Sequence, residues 1–203
     1  MLDVGFTDPR RGRAACHSRT ADGGLRPPAA LGVEGAGRVL AVGADVDEFA
    51  VGDRVLAHEA PLPGGSGFWA ERVLITAAHA AACPSGLVPV EAAALPVNGL
   101  TAWQALEMLG LGKGQRLLVT NGGGATGSLA VQLAAAMGVE VTATASASAA
   151  DRVRGLGAVE VVDYHDPNWP DQVHGRFDGA LPRPSARRRL PCPWCATAGG
   201  CAR

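Results

Sequence analysis

The rhythm of apolar and polar positions changes near Pro84. Before it, short alternating runs stand between glycines and prolines. The segment Gly37–Gly43 alternates enough for a strand bounded by glycines. Val46 to Phe49 leads into a turn at Val51-Gly52-Asp53, and Arg54–Ala57 reads as a second short strand. Pro61 to Gly67 is a Pro/Gly loop, and Phe68–Ile75 reads as a further strand. Short strands at this spacing predict a small β-barrel or sandwich over residues 1–84. From Met1 to Pro28 there is little periodicity, and no element is predicted there.

After Pro84 strands alternate with helices. Val90–Leu95 is alanine-rich and helical until Pro96 ends it. Thr101–Leu109 forms the next helix, with Trp103, Leu106 and Leu109 near one face and Gly110 as its C-cap. Then come a strand over Arg116–Thr120, a glycine turn over Asn121–Gly127 and a helix over Ser128–Met137, which Gly138 ends. Val139–Thr144, Val159–Asp163 and Phe177–Leu181 supply three more strands, and Ala147–Leu156 a helix closed by Gly157. Strands separated by helices of about ten residues mean βαβ units and a parallel sheet, here over residues 85–181. Residues 182–203 form an irregular tail, rich in Pro, Arg and Cys and without a period.

Composition narrows the function classes. The chain has 203 residues, 47% of them hydrophobic, which is enough for a packed core. A formal net charge of −1 argues against nucleic acid as the main partner. No apolar run is long enough to span a membrane. The start is polar and carries Arg10, Arg11 and Arg13, unlike a secretory signal, so a cytoplasmic location is the expectation. The five cysteines, at 16, 83, 192, 195 and 201, are odd in number and crowd the tail, so reduced thiols are expected rather than a disulfide framework. Cys192-Pro193-Trp194-Cys195 has C-x-x-C spacing. No His follows it to complete a zinc site, and the prolines around it disfavour the helix start that a redox motif needs.

The segment that carries chemistry is Gly122-Gly123-Gly124-Ala125-Thr126-Gly127, a G-x-G-x-x-G after an apolar strand and before a helix. Gly122 is expected to allow the tight turn, Gly124 to let backbone approach a pyrophosphate, and Gly127 to let the helix pack close. The helix beginning near Ser128, with Leu129, Leu133 and Met137 at four-residue spacing, would offer its N–H groups and positive dipole end to phosphate.

The end of the following strand bears on the choice of dinucleotide. NAD sites place an Asp or Glu about 20 residues after the first glycine, to hold the ribose 2′-hydroxyl. Here residues 141–148 contain no carboxylate, and the first is Asp151. Ser146 and Ser148 are suited to hydrogen-bond a 2′-phosphate and Arg152 to pair with it, so NADP(H) is the expected cofactor. The same serines also suit capping of the helix at Ala147–Leu156, and the two roles are compatible.

These residues resemble a known family. Leu31-Gly32-Val33-Glu34-Gly35-Ala36-Gly37-Arg38-Val39 and Val51-Gly52-Asp53-Arg54-Val55 resemble the GroES-like domain of medium-chain dehydrogenases/reductases. Residues 100–106, 117–133, Gly157-Ala158 and Val162-Asp163-Tyr164 look like that family's linking helix, cofactor turn and next strand. The likeness runs from about Leu31 to Leu181, roughly three-quarters of the chain.

It implies an α/β architecture, a GroES-like β-barrel fragment followed by a partial Rossmann doubly wound parallel sheet. Zinc members carry a His where Val33 stands and a cysteine-rich lobe between the segments matching Val55 and Ala70. Neither is present, so the resemblance is to the zinc-independent quinone-oxidoreductase-like and enoyl-reductase-like branch, with no metal. That branch moves hydride from NADPH to a quinone or an electron-poor C=C. The resemblance places Thr101 near the nicotinamide and Tyr164 near the adenosine phosphate. A helix N-terminal hydroxyl and a strand-end aromatic are the plainer readings of the same two residues. Phe6-Thr7-Asp8 matches the segment where relatives keep active-site polar residues, but no proton donor is assigned. In the family homodimers commonly form through the cofactor-domain sheet, by strands that are missing from this sequence.

Relatives are longer, and the chain reads as truncated. Arg183 to Arg203 has the look of a GC-rich gene translated in a shifted frame, and a family-like continuation in another frame of the coding DNA would bear that out. Two rivals to an active reductase follow: a nucleotide-binding remnant without catalysis, and a module whose exposed sheet edge pairs with another chain.

Overall fold

A computed structural model describes residues 2–5, 30–59 and 67–182. They fall into two compact units, one up to Val97 and one from Asn98. Phe6-Thr7-Asp8, nearly all of the Pro61–Gly67 loop, Cys16 and the tail with Cys192, Cys195 and Cys201 lie outside the described residues.

The first unit holds β1 (Leu2–Gly5), β2 (Glu34–Val42), β3 (Arg54–His58), β4 (Arg72–Ile75) and β5 (Ala80–Ala82). Among the described residues they form one antiparallel sheet in the order β4-β1-β2-β3-β5. Period-two alternation sends Val55 and Ala57 of β3, and Val73 and Ile75 of β4, into a core shared with Val4, Val39 and Phe68. The turn between β2 and β3 falls where the sequence puts it. Gly52 takes φ 98°, and Asp53 Oδ2 accepts the Ala50 N–H at 2.8 Å.

Two boundaries and two further strands differ from expectation. β2 begins at Glu34, so Gly35 and Gly37 lie inside the strand, paired with Ala57 and Val55, rather than at its edge. Only Arg72–Ile75 of the run Phe68–Ile75 is a strand, because the Phe68 and Trp69 N–H groups donate to Gly32 and Leu31 instead of joining the sheet. β1 and β5 occupy segments where no strand is predicted.

α1 (Pro89–Ala92) lies against β2, which groups residues 85–97 with the first unit. α2 (Pro96–Leu109) starts five residues before Thr101. Pro96 therefore ends one predicted helix and opens the next, at a position where its missing N–H leaves nothing unsatisfied. Glu34 Oε2 accepts the Val97 N–H at 2.7 Å and so caps the start of α2. Of the residues expected near one face of α2, Leu106 is buried and Leu109 packs against the core, whereas Trp103 is 46% exposed; Ala102 is buried as well.

The second unit holds β6 (Arg116–Val119), α3 (Ala125–Ala136), β7 (Glu140–Ala145), α4 (Ala150–Gly155), β8 (Glu160–Asp163), α5 (Trp169–Gln172) and β9 (Gly179–Leu181). A 3₁₀ turn over Ala147–Ala149 precedes α4. The strands run parallel in the order β8-β7-β6-β9, so the direction of winding reverses between β6 and β9. This is the order of the first four strands of a doubly wound sheet.

Both faces are covered. Leu117, Val119, Val141, Ala143 and Ala145 pack with Val131, Ala134 and Val153 on one face. Leu118, Val162, Val173, Phe177 and Ala180 pack together on the other. Residues 141–145 are all buried, as a strand flanked on both sides requires. On α3 the buried positions are Ala130, Val131 and Ala134, with Leu133 partly buried against the same core, while Met137 is 39% exposed. Small side chains let this helix lie close to the sheet.

Candidate cofactor site

The glycine turn leaves the carboxyl end of β6, beside the point where the strand order reverses. Open α/β sheets bind ligands in the crevice at that point. The left-handed residue of the turn is Asn121, at φ 59°, and not Gly122. Asparagine tolerates this region better than most side chains. Thr144, buried at 2% exposure on β7, fixes the turn from two atoms. Its Oγ1 accepts the Asn121 N–H at 3.0 Å, and its carbonyl accepts the Gly122 N–H at 2.8 Å. Asn121's own carbonyl accepts the Gly124 N–H at 2.9 Å.

The glycines answer to different neighbours. A Cβ on Gly122 would stand 2.8 Å from the Cβ of Ala143, so this position is small because β7 passes beneath it. A Cβ on Gly124 would meet the Asn121 side-chain amide at 2.5 Å. A Cβ on Gly127 would collide with the Asn121 carbonyl oxygen. α3 starts at Ala125, three residues earlier than predicted, so Gly127 lies in its first turn. The N–H groups of that turn have no intrahelical acceptor. They stand at the positive end of a 12-residue helix, directly after the turn. Thr126 Oγ1 donates to Asn98 Oδ1 at 2.8 Å, which ties the turn to α2. Thr101 lies one helical turn beyond Asn98, on the same side of α2.

The segment after β7 closes over the turn. Arg152 Nη2 donates to the Gly123 carbonyl at 2.8 Å, and a Cβ on Gly123 would lie 3.3 Å from that of Ala149. Ser146 and Ser148 face each other with their hydroxyl oxygens 3.1 Å apart. Their side chains make no capping bond to the 3₁₀ turn that follows Ser146. Tyr164 follows β8, half exposed, and its N–H donates to the Ala145 carbonyl at 3.3 Å. Gly122, Gly123, Gly124, Ala125, Thr126, Gly127, Ser146, Ser148, Arg152 and Tyr164 are thus gathered at the carboxyl ends of β6, β7 and β8.

Three residues at this site escaped the sequence reading: Thr144, Asn98 and Asp163. Asp163, at the end of β8, is half-buried. Its carboxylate accepts the His165 N–H at 2.9 Å and lies 3.0 Å from the His165 ring nitrogen Nδ1. It stands across the ladder from Ala145, the last residue of β7. The His165 backbone N–H above all, helped by the His165 ring, holds the carboxyl below its ordinary value against the opposing effect of desolvation. The carboxylate missing from the end of β7 is therefore present from the neighbouring strand. Counting residues along one strand cannot find it.

Val33 and Glu34 are both engaged within the first unit. Glu34 caps α2, and Val33 offers its carbonyl to His58 Nδ1 at 2.8 Å. Among the described residues, no three His, Cys, Asp or Glu side chains gather as a metal site.

Replacing Thr144 with Val tests the anchoring of the turn. It keeps the side-chain shape and removes the acceptor for the Asn121 N–H. The expected loss is about 1–3 kcal/mol, measured by urea unfolding. An unchanged midpoint would show that the turn does not depend on this bond.

The fold and the turn define a class: a GroES-like domain followed by a Rossmann-type domain. The chain belongs to the medium-chain dehydrogenase/reductase family. Residues 11–85 match the alcohol dehydrogenase GroES-like domain. The chain is 39% identical over 167 residues to a chloroplast envelope quinone oxidoreductase homolog of Arabidopsis thaliana, covering 79% of this chain and 47% of that protein. It is 37% identical over 142 residues to the mitochondrial NAD(P)H oxidoreductase RTN4IP1 of Mus musculus, covering 68% of this chain and 35% of that protein. A quinone oxidoreductase from Coxiella burnetii superposes with TM-score 0.74 at 26% identity, over 89% of this chain and 58% of that one. The chain spans about half or less of the length of these curated relatives.

Proposed function

We propose that the chain binds NADP(H) and works as a zinc-independent oxidoreductase that passes hydride from NADPH to a quinone or to another activated C=C. The observation that carries this is the Asn121–Gly127 turn at the reversal of strand order, with Arg152 bonded to the carbonyl of Gly123. The residues present fit a dinucleotide. Pyrophosphate oxygens would meet backbone N–H groups of the first turn of α3. Ser146, Ser148 and Arg152 would meet a phosphate on the adenosine ribose, with Tyr164 beside it. A bound nicotinamide would supply the hydride. The chain's own contribution is to hold and orient, which accounts for a large part of catalysis in such sites. A homodimer belongs to the same reading, and size-exclusion chromatography at several concentrations checks it.

The similarity to a quinone oxidoreductase homolog and to an NAD(P)H oxidoreductase supports this reaction class. The test is thermal unfolding with NADPH and with NADH, followed by NADPH oxidation with a water-soluble quinone and an enone. A larger upward shift with NADPH and turnover of either acceptor are expected. Equal or zero shifts would overturn the cofactor assignment. A shift without turnover would favour the binding remnant.

Arg152→Ala sharpens the test. Loss of a charge-assisted contact to phosphate should weaken NADPH binding roughly tenfold or more and leave NADH within about twofold. Equal weakening of both by calorimetry would make Arg152 a support for Gly123 only.

A further inference from the structure

We infer that Asn121 is a cofactor-binding residue in its own right: its side-chain amide donates to the pyrophosphate of the dinucleotide and sets affinity common to NADPH and NADH. This rests on the cofactor reading above and adds a side chain to that site.

The backbone of Asn121 is engaged and its side chain is not. The N–H donates to Thr144 Oγ1 at 3.0 Å, and the carbonyl accepts the Gly124 N–H at 2.9 Å. The residue is partly exposed, and its side-chain amide makes no hydrogen bond to any of the described residues. That amide lies over Gly124. Its nitrogen is 2.5 Å, and its carbon 3.1 Å, from where a Cβ on this glycine would stand. Gly124 is the N-cap of α3 and brings no side-chain cap. The nearby hydroxyls are turned elsewhere, Thr126 to Asn98 and Ser128 to the Ala125 carbonyl. An anion held by the first-turn N–H groups therefore comes within reach of the Asn121 amide, whose NH₂ adds two donors.

The residue type argues the same way. Asn121 takes φ 59°, and among the described residues it is the one residue besides glycine in the left-handed region. Asparagine visits that region because its short side chain can hydrogen-bond to the local backbone. This amide makes no such bond. Glycine adopts the same conformation without a Cβ in the way. For the backbone alone glycine would be the better residue, and an unengaged amide is what asparagine adds. Arg152 bonds to Gly123 and, in the cofactor reading, belongs with Ser146 and Ser148 at the ribose phosphate. The two side chains thus address different parts of the ligand. The pyrophosphate is common to both dinucleotides, so Asn121 acts on both alike.

The experiment measures dissociation constants by calorimetry for NADPH, NADH and ADP-ribose, which keeps the pyrophosphate and lacks the nicotinamide. The proteins are the wild-type chain, Asn121→Gly and Asn121→Asp, each with its melting temperature. N121G keeps the left-handed turn and deletes the amide. It should melt no lower than the wild type yet bind all three ligands about tenfold more weakly, the effect of one hydrogen bond to a charged group. N121D keeps the shape and tolerates the left-handed region, but puts a carboxylate where the donor stood. It should bind at least as weakly as N121G while circular dichroism shows it folded. Unchanged affinity in N121G overturns the inference and leaves the cofactor reading standing, with Asn121 serving the turn alone. A loss confined to NADPH, or one absent with ADP-ribose, overturns it as well, by placing the amide at the 2′-phosphate or the nicotinamide. Weaker binding by an N121G that also melts lower marks a disturbed turn and has the same consequence. Failure of the wild-type chain to bind either dinucleotide overturns both readings.

Discussion

Gly127→Ala is expected to separate α3 from its turn, with loss of NADPH binding by more than tenfold and of stability by about 1–3 kcal/mol. The collision is with backbone. The new Cβ would overlap the Asn121 carbonyl oxygen, stand 2.9 Å from the carbonyl carbon and 3.1 Å from the Gly122 Cα. No rotamer relieves it, because the atom in the way is the first atom of the side chain. The helix cannot slide off freely either, since Val131 and Ala134 are fully buried against β6 and β7. Whichever way the strain is shared, the first-turn N–H groups leave their place at the end of the turn.

Gly99→Ala is the matched control. Gly99 lies inside α2 with open space where its Cβ would go, so the change should be neutral or stabilising, by up to about 1 kcal/mol. Thermal unfolding with and without NADPH reads both variants. An unaltered NADPH shift in G127A would show that the close approach of helix and turn has no part in binding.

The same turn shows what a sequence discloses. The spacing of Gly122, Gly124 and Gly127 marks it because one backbone arrangement demands small residues at fixed separations. The reason for each glycine is less visible. The left-handed conformation fell to Asn121, and Gly122 is small because Ala143 lies under it. Local pattern located the parallel strands to within a residue or two, since each is a short apolar run between glycines. It missed β1 and β5, which are short and draw their order from pairing with β2, β3 and β4, partners distant in sequence. It marked Leu106, Leu109 and Leu133, which lie in or against the core, but not the small residues Ala102, Ala130 and Ala134 that are buried with them. Asp163 could not be found by counting along β7, because it reaches the end of that strand from β8. Candidate residues that follow one another along the chain were legible, and those brought together across strands were not.

Phe177→Ala should lower stability more than any change at the turn, and should leave the response to NADPH largely intact. Phe177 is fully buried with Leu118, Val162, Val173 and Ala180, on the face of the sheet opposite α3. The Arg116 guanidinium lies 4.7 Å from its ring centroid, and donates to the carbonyls of His174 at 3.0 Å and Arg176 at 3.2 Å. The phenyl ring thus supports both the second core and the loop that delivers β9 to β6. Truncation should cost about 3–5 kcal/mol through lost burial and the cavity left behind. For a chain of this size that is a fall in melting temperature of roughly 6–20 °C. The turn sits on the far side of β6 from this ring, held by Thr144 and Asn98. A ligand that binds only the folded state adds its increment to whatever stability remains. F177A should therefore melt lower yet be raised by NADPH almost as far as the wild type, whereas G127A should lose the increment itself. If F177A abolishes the NADPH shift while remaining folded, the two faces of the sheet are coupled and the site extends to β9.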